Sequence, residues 1–375
     1  MDNSKASAPA FAHLIDLAAE RFGGQVLWCT DDFFAEKENL IKPSTPIFIA
    51  DKYTDRGKWM DGWESRRKRT EGHDIAVIQL GAAGVIKGFD VDTAHFLGNQ
   101  PQACSIEACY APDGLKNENG EGNDWVEVLP RTVLNPGSQH LVEAQLSVVG
   151  SSFAPSSAHG TQLSVVSSSV APPNARGNVR QPNQQPNTDN LVTHVRLHIY
   201  PDGGVARLRV YGEVQRDWSS TKPDELIDLA AAQNGALSIQ CNDMFFSHMN
   251  NLLMPGRGVN MGDGWETKRN RTPNNRDWVI VRLAHKGIIK KALIDTCHFK
   301  GNYPDSFTLE GCMSESDDLS QAKWSTIIER TKLQADHEHS YEKELVCKEA
   351  VSHVRLNIFP DGGVSRMRLW GTIAK

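Results

Sequence analysis

The chain has 375 residues, of which 39% are hydrophobic and 23% charged, and its formal net charge is -6. This length allows two or three domains, and the composition is that of a soluble globular protein, not a disordered or fibrous one. The negative balance excludes a global attraction to nucleic acid or anionic lipid; no apolar run approaches the roughly 18 residues of a membrane span; and the N-terminal stretch lacks a basic segment followed by an apolar one. A cytoplasmic protein with a small, soluble partner is expected.

Taken from the N-terminus, LIDLAAERFGG sets Leu14, Leu17 and Ala18 on one helical face with Gly23 as a stop, which predicts a helix. The charged run DGWESRRKRT follows, and then IAVIQL and VIKGFDVDT read as two strands, with CSIEACY as a third. Between about 143 and 190 lie SSFAPSSAHG, SSSVAPPNARG and RQPNQQPNTDN, whose Ser, Pro, Asn and Gln content cannot supply a packed core and predicts a surface insertion. HVRLHIY alternates, with Val195, Leu197 and Ile199 opposite His194, Arg196 and His198; PDGG supplies a turn before ARLRVYG resumes the alternation, and the segment reads as a β-hairpin. The polar stretch DWSSTKPDE then reads as a linker.

Beyond that linker the chain repeats itself. WMDGWESRRKRT (Trp59 to Thr70) returns as NMGDGWETKRNRT (Asn260 to Thr272), DTAHFLGNQP returns as DTCHFKGNYP, and HVRLHIYPDGGVARLRVYG returns as HVRLNIFPDGGVSRMRLWG. WVIVRL, IKKALIDT and FTLEGCM match the three earlier strand segments. Matched segments in one fixed order indicate duplication of a whole domain. The expected copies are residues 12–216, carrying the insertion at about 143–190, and 224–375. Many short strands with few short helices predict an all-β chain of two tandem jelly-roll β-sandwich repeats. Of the seven cysteines, Cys29 matches Cys241 and Cys109 matches Cys312; their apolar surroundings and the lack of any CxxC spacing suggest buried thiols, not disulfides or structural zinc.

No GxSxG elbow, HExxH, glycine-rich phosphate loop or GxGxxG is present, which removes the easily read hydrolases and nucleotide enzymes. Four polar constellations remain, each present twice. Asp61, Glu64, Arg67 and Arg69, with Asp263, Glu266, Arg269 and Arg271, surround Trp63 and Trp265. They read either as a salt-bridge knot capping a sandwich or as arginines presented to grip a carboxylate in bidentate fashion. Asp92, His95 and Asn99, with Asp295, His298 and Asn302, offer an imidazole oriented for proton transfer, two ligands for a divalent metal, or a satisfied strand end. Glu107 and Glu310 lie in apolar strand segments, either on a solvent face or in a site where desolvation favours the protonated form. His194, Arg196, Arg207 and Arg209, with His353, Arg355, Arg366 and Arg368, oppose the apolar side chains of their strands. A solvated outer face accounts for these four pairs, but not for the near-identity of the segment around PDGGV in both copies.

Taken together, DGWExxRxRT, DTxHFxGNxP and HVRLxIxPDGGVxRxRxxG in duplicate resemble the allantoicase family over nearly the whole chain outside the insertion. The resemblance implies two galactose-binding-like jelly-roll repeats, a homo-oligomer, and hydrolysis of allantoate to (S)-ureidoglycolate and urea in allantoin degradation. Allantoate bears a carboxylate and two ureido groups, so its site needs a cationic fork, hydrogen-bond partners, an acid and a base. Glu107 or Glu310 and His95 or His298 are the expected acid and base. The substrate-binding set is Arg67, Arg69, Asp61, Glu64, His194, Arg196 and Arg207, with Arg269, Arg271, Asp263, Glu266, His353, Arg355 and Arg366. No cofactor is required by the sequence. A divalent metal could use Asp92 with His95 and Asp295 with His298. The reading from a different class is a non-catalytic carbohydrate-binding module of the same fold.

Overall fold

The structure, a computed structural model, describes residues 8–145 and 190–374; the expected insertion lies almost wholly outside the described residues. Its organising element in the first half is a single strand of 19 residues, Asp74–Asp92. IAVIQL and VIKGFDVDT are therefore the two ends of one strand, not two strands. Its first part pairs with Gln25–Cys29 on one side and Val192–Tyr200 on the other, and the latter pairs in turn with Ala103–Cys109 and so with Val126–Val133. Its last part pairs with Gln139–Glu143 and with Arg207–Val214, which pairs with Ile15–Asp16. One strand thus serves both layers of a sandwich, crossing between them near Gly81 and Gly84. A Cβ on Gly81 would lie 2.4 Å from the Phe22 carbonyl oxygen, and one on Gly84 2.7 Å from that of Glu213, so the crossing needs glycine.

The second half repeats this plan. Asp277–Asp295 pairs first with Leu237–Cys241 and Val351–Phe359, the latter leading to Ser306–Cys312 and Ser325–Lys332. It then pairs with Glu338–Tyr341 and Arg366–Ile373, beside Ile227–Asp228. The result is all-β, with two sandwiches in tandem, and the only helices among the described residues are short 3-10 turns. None is long and apolar enough to cross a membrane.

Two further sequence expectations are corrected. LIDLAAERFGG forms no α-helix: Ile15 and Asp16 form a short strand, and only Glu20–Phe22 turn as a 3-10 helix, closed by Gly23 at φ 107°. The Asp16 carboxylate accepts from the backbone N–H groups of Ala18 and Val210, replacing helical hydrogen bonds with a link to the sheet. Leu17, Ala18, Ala19 and Phe22 are all buried, so the apolar residues fill a core on several sides and do not form one stripe. The segment from His194 to Gly212 is no hairpin either. Its two strands never pair with each other; each pairs with a different part of Asp74–Asp92, in opposite layers.

The alternation survives with a new meaning. Val195, Leu197 and Ile199 from one layer and Leu208 and Val210 from the other are fully buried between the layers. Arg196 and Arg207, on the opposite faces, therefore stand on the two outer surfaces of the sandwich. Cys109 and Cys312 are buried, Cys29 and Cys241 are half-buried, and all the cysteines are free thiols.

Candidate active site

Three duplicated motifs meet at one end of each sandwich. In the second repeat they form a cleft of about 440 Å³ lined by Glu266 and Arg269 of the first motif, Asn302 of the second, and the Pro360–Gly362 turn of the fourth, with Phe246 at its edge. Asn302 Nδ2 donates to Glu266 Oε1, as Asn99 Nδ2 donates to Glu64 Oε1 at 2.7 Å in the first repeat. Burial raises the Glu64 carboxyl, partly offset by that amide. The turn is fixed by close packing. Gly203 and Gly362 hold φ near +134° and +133°, and a Cβ on Gly204 or Gly363 would fall 1.9 Å from the ring of Phe96 or Phe299. This accounts for the near-identity of the two PDGGV segments. Arg67, Arg69, Arg269 and Arg271 are exposed, and none has a side-chain hydrogen bond or ion pair among the described residues.

Asp61 and Arg207 instead form a buried knot. The Arg207 guanidinium, fully buried, donates to the carbonyl oxygens of Ser44, Asp61 and Ala206 and to Asp61 Oδ2 at 2.8 Å. Burial opposes charge on Asp61, but the bonds from Arg207 and the Ile47 N–H hold its carboxyl below the usual range. Arg366 and Asp263 repeat the arrangement at 2.8 Å, and Arg21 joins Asp263 from the other repeat at 2.8 Å.

His95 and His298 sit beside these knots. Their Nε2 atoms meet the carbonyl oxygens of Pro46 at 3.2 Å and Gly258 at 2.9 Å. Asp92 and Asp295 accept from the N–H groups of Ala94 at 2.7 Å and Cys297 at 2.8 Å, and Asp295 also pairs with Arg257. Neither carboxylate holds the nearby imidazole. One group among the described residues could hold a metal ion: Cys297, His298 and Asp336, whose ligand atoms lie within 4.8 Å of one another. Its counterparts in the first repeat are Ala94, His95 and Gly137, so this donor set is not duplicated.

Glu107 and Glu310 occupy the other outer face. Glu107 Oε2 accepts from Arg196 Nε at 2.8 Å and lies 2.7 Å from His198 Nε2; His198 Nδ1 in turn lies 2.8 Å from His73 Nε2. The His198 contact, then Arg196, holds the Glu107 carboxyl below its ordinary value, the reverse of the desolvation expected for a carboxylate among apolar neighbours. Glu310 Oε2 accepts from Arg355 Nε at 2.8 Å and Asn357 Nδ2 at 2.7 Å; burial opposes the charge, and these bonds lower its carboxyl as well. Arg196 covers the Trp125 ring at 4.6 Å, and Arg355 covers Trp324 at 4.5 Å. His194 is buried against Thr193, whereas His353 bonds Ser352 and Asp317.

Glu107 and His95 therefore lie on opposite outer faces of one repeat, as do Glu310 and His298, and are not brought together. The sequence reading missed His73, Tyr200, Trp125 and Arg257 as members of these groups. His73 and Tyr200 were visible only as differences between the copies, which are Arg276 and Phe359 in the second.

A sequence model described as the allantoicase repeat matches residues 15–155, 156–215 and 227–374. A probable allantoicase 1 of Burkholderia mallei is 46% identical over 378 residues, covering 99% of this chain and 98% of that protein. A probable allantoicase of Pseudomonas syringae pv. syringae is 44% identical, covering 99% and 100%. The crystal structure of allantoicase from Saccharomyces cerevisiae superposes with a TM-score of 0.69 at 36% identity, covering 95% of this chain and 92% of that one. A likeness of this extent, running through both halves and all the duplicated motifs, makes the chain a member of the allantoicase family.

Proposed function

We propose that this chain hydrolyses allantoate to (S)-ureidoglycolate and urea, as a cytoplasmic homo-oligomer with no nucleic-acid or membrane partner. Family membership over the full length supports the reaction. The observation that carries the site is the convergence of Glu266, Arg269, Asn302 and the Pro360–Gly362 turn in one cleft, with Glu64, Arg67 and Asn99 at the matched positions. The unpartnered guanidinium groups of Arg67 and Arg269, with Arg69 and Arg271 beside them, grip the substrate carboxylate as a fork. The Glu–Asn pairs meet the amide-like ureido groups.

Departure of urea needs a proton on the leaving nitrogen and a base to activate water, each worth roughly 10² to 10⁴ in rate. Glu107, held ionised by His198 and Arg196, is suited to the base role, and Glu310, held ionised by Arg355 and Asn357, stands at the matched position of the second repeat. The loop carrying Arg67 and Arg69 runs directly into His73, which reaches Glu107 through His198 and links the clamp to the base. The Asp61–Arg207 and Asp263–Arg366 knots, with His95 and His298 beside them, position the loops. No step here requires a metal or cofactor.

Urea release from purified protein supplied with allantoate, with allantoin and arginine as controls, tests the reading. Urea from allantoate alone is expected, whereas none from folded protein would favour the carbohydrate-binding module. Arg67→Ala with Arg269→Ala is expected to lower kcat/KM at least about 100-fold while leaving the unfolding transition in place; full activity in the folded double variant would refute the clamp.

A further inference from the structure

The two outer faces that carry Glu107 and Glu310 are built on the same strands and the same arginine–tryptophan frame, yet they differ in one chemical respect. In the first repeat the frame holds His198, His73 and Tyr200. The matched residues in the second repeat are Asn357, Arg276 and Phe359. Two imidazoles and a phenol hydroxyl in one copy each give way to a side chain that cannot play the same part in the other, while Glu107 and Glu310, Arg196 and Arg355, Trp125 and Trp324, and Arg131 and Arg330 are kept. Random drift on a solvated face would have no reason to spare the frame and replace both imidazoles and the hydroxyl together.

From this contrast we infer that the first repeat contains a hydrogen-bond relay, His73–His198–Glu107, that orients and tunes a catalytic carboxylate, and that the second repeat's face binds or supports but does not transfer protons. The inference rests on the hydrolase reading above and adds residues to it. The geometry is continuous. Glu107 Oε2 lies 2.7 Å from His198 Nε2, and His198 Nδ1 lies 2.8 Å from His73 Nε2. Oε1 of Glu107 has no protein partner among the described residues and is left for water or substrate, and the Glu107 side chain is 26% exposed.

Glu107 is the catalytic group in this scheme, and His198 and His73 are positioning residues that act through it. Glu107 takes one proton from the attacking water as the C–O bond forms and gives it to the departing urea nitrogen as the C–N bond breaks, so the cycle neither gains nor loses one. With Glu107 ionised, His198 donates its Nε2 proton to Oε2 and its Nδ1 accepts from His73 Nε2, which fixes the tautomer and leaves Oε1 as the atom that exchanges the proton. In the second repeat Asn357 Nδ2 donates to Glu310 Oε2 and to Thr308 Oγ1, a fixed arrangement that holds the carboxylate without a titratable partner behind it.

The groups around the relay set its pH behaviour. His198 faces Glu107, Arg196, His73 and Tyr200. His73 faces His198, Tyr200, Asp74, Lys68 and Arg131, and burial followed by the His198 charge lowers its value, which favours the neutral ring. A histidine relay of this kind works when its rings are neutral, so wild-type turnover should decline as pH falls through the histidine range.

The test is His198→Asn, which installs the side chain the second repeat already carries on the same strand, with His198→Gln as a second variant should the first fold poorly. The expected result is a fall in kcat of about 100-fold with KM within about threefold, a shift of the acidic limb of the pH profile to lower pH, and partial recovery with added imidazole. A folded variant with wild-type kcat and an unchanged pH profile would overturn the relay. The same holds for a variant whose loss lies wholly in KM and does not respond to imidazole. Absence of urea release from the wild-type protein would instead overturn the hydrolase reading itself, so the two failures are distinct.

Discussion

Asp90 shows how a single carboxylate can be carried at a cost to the fold. It stands on the outer face of Asp74–Asp92, only 2% exposed, with Oδ2 accepting from Gln139 Nε2 at 2.9 Å and Oδ1 without a partner. Burial, followed by the charge of Asp92, raises its carboxyl to about 6. The second repeat has Leu293 in the same register, opposite Arg368 as Asp90 is opposite Arg209. An acid whose folded value is raised contributes most at low pH: that stability is complete below the unfolded value of about 4 and is lost as pH rises through about 6. A shift of about two units corresponds to about 3 kcal/mol lost by neutral pH, as an upper bound. Asp90→Asn, which keeps an oxygen for Gln139, is therefore expected to raise unfolding stability at pH 7 by about 1–3 kcal/mol, with the gain vanishing below about pH 4. Urea titrations at pH 7 and pH 3.5 would show it, and equal stabilities at pH 7 would count against a destabilising buried charge.

At the scale of elements, the sequence displayed strand content, the turn at PDGG and the inward residues of each strand, because period-two alternation is a local signal. It could not display which layer each strand joins. The hairpin reading of residues 194–212 failed because adjacency in sequence says nothing about a third, longer strand passing between the two layers. The helical reading of residues 14–24 failed because the Asp16 carboxylate and the Arg207–Val214 strand supplied hydrogen bonds that propensity does not foresee. At the candidate site the residue types were legible and the grouping was not: Arg207 and Arg366 lie buried in knots, while Arg67 and Arg269, from a different motif, have no side-chain partner among the described residues. The turn that joins the layers is also the floor of the cleft, so packing and function meet there. Gly363→Ala would drive a methyl group into the Phe299 ring, and overpacking of this kind costs about 1–3 kcal/mol. Reduced stability together with a raised KM for allantoate is expected; a KM unchanged in a clearly destabilised variant would separate the turn from substrate binding.

At the scale of the whole molecule, duplication was the clearest feature of the sequence, but how the two copies hold each other was invisible in it. The contacts between them are not the same in the two directions. Arg21 reaches Asp263 and Asn251, the Asn250 amide reaches the His13 carbonyl oxygen, and Gln233 reaches that of Phe22. The strongest link is a chain of charges. Arg282, 8% exposed at its side chain, meets Glu213 of the first repeat at 2.9 Å and Asp317 at 2.7 Å, and Asp317 also faces His353 at 3.1 Å. The position matched to Arg282 in the first repeat is Gln79, which carries no charge, so the link exists in one direction only. Burial opposes charge on Asp317, yet the His353 contact and the Arg282 charge keep its carboxyl below the usual range. Removing the guanidinium would leave Glu213 unpaired and Asp317 with His353 alone, a loss of about 3 kcal/mol for a largely buried pair. Because that loss falls on the junction and not on either core, Arg282→Ala should split a single thermal unfolding transition into two. Calorimetry would detect the split, and one sharp transition at the wild-type temperature would mean that the cores, not this ion chain, couple the repeats.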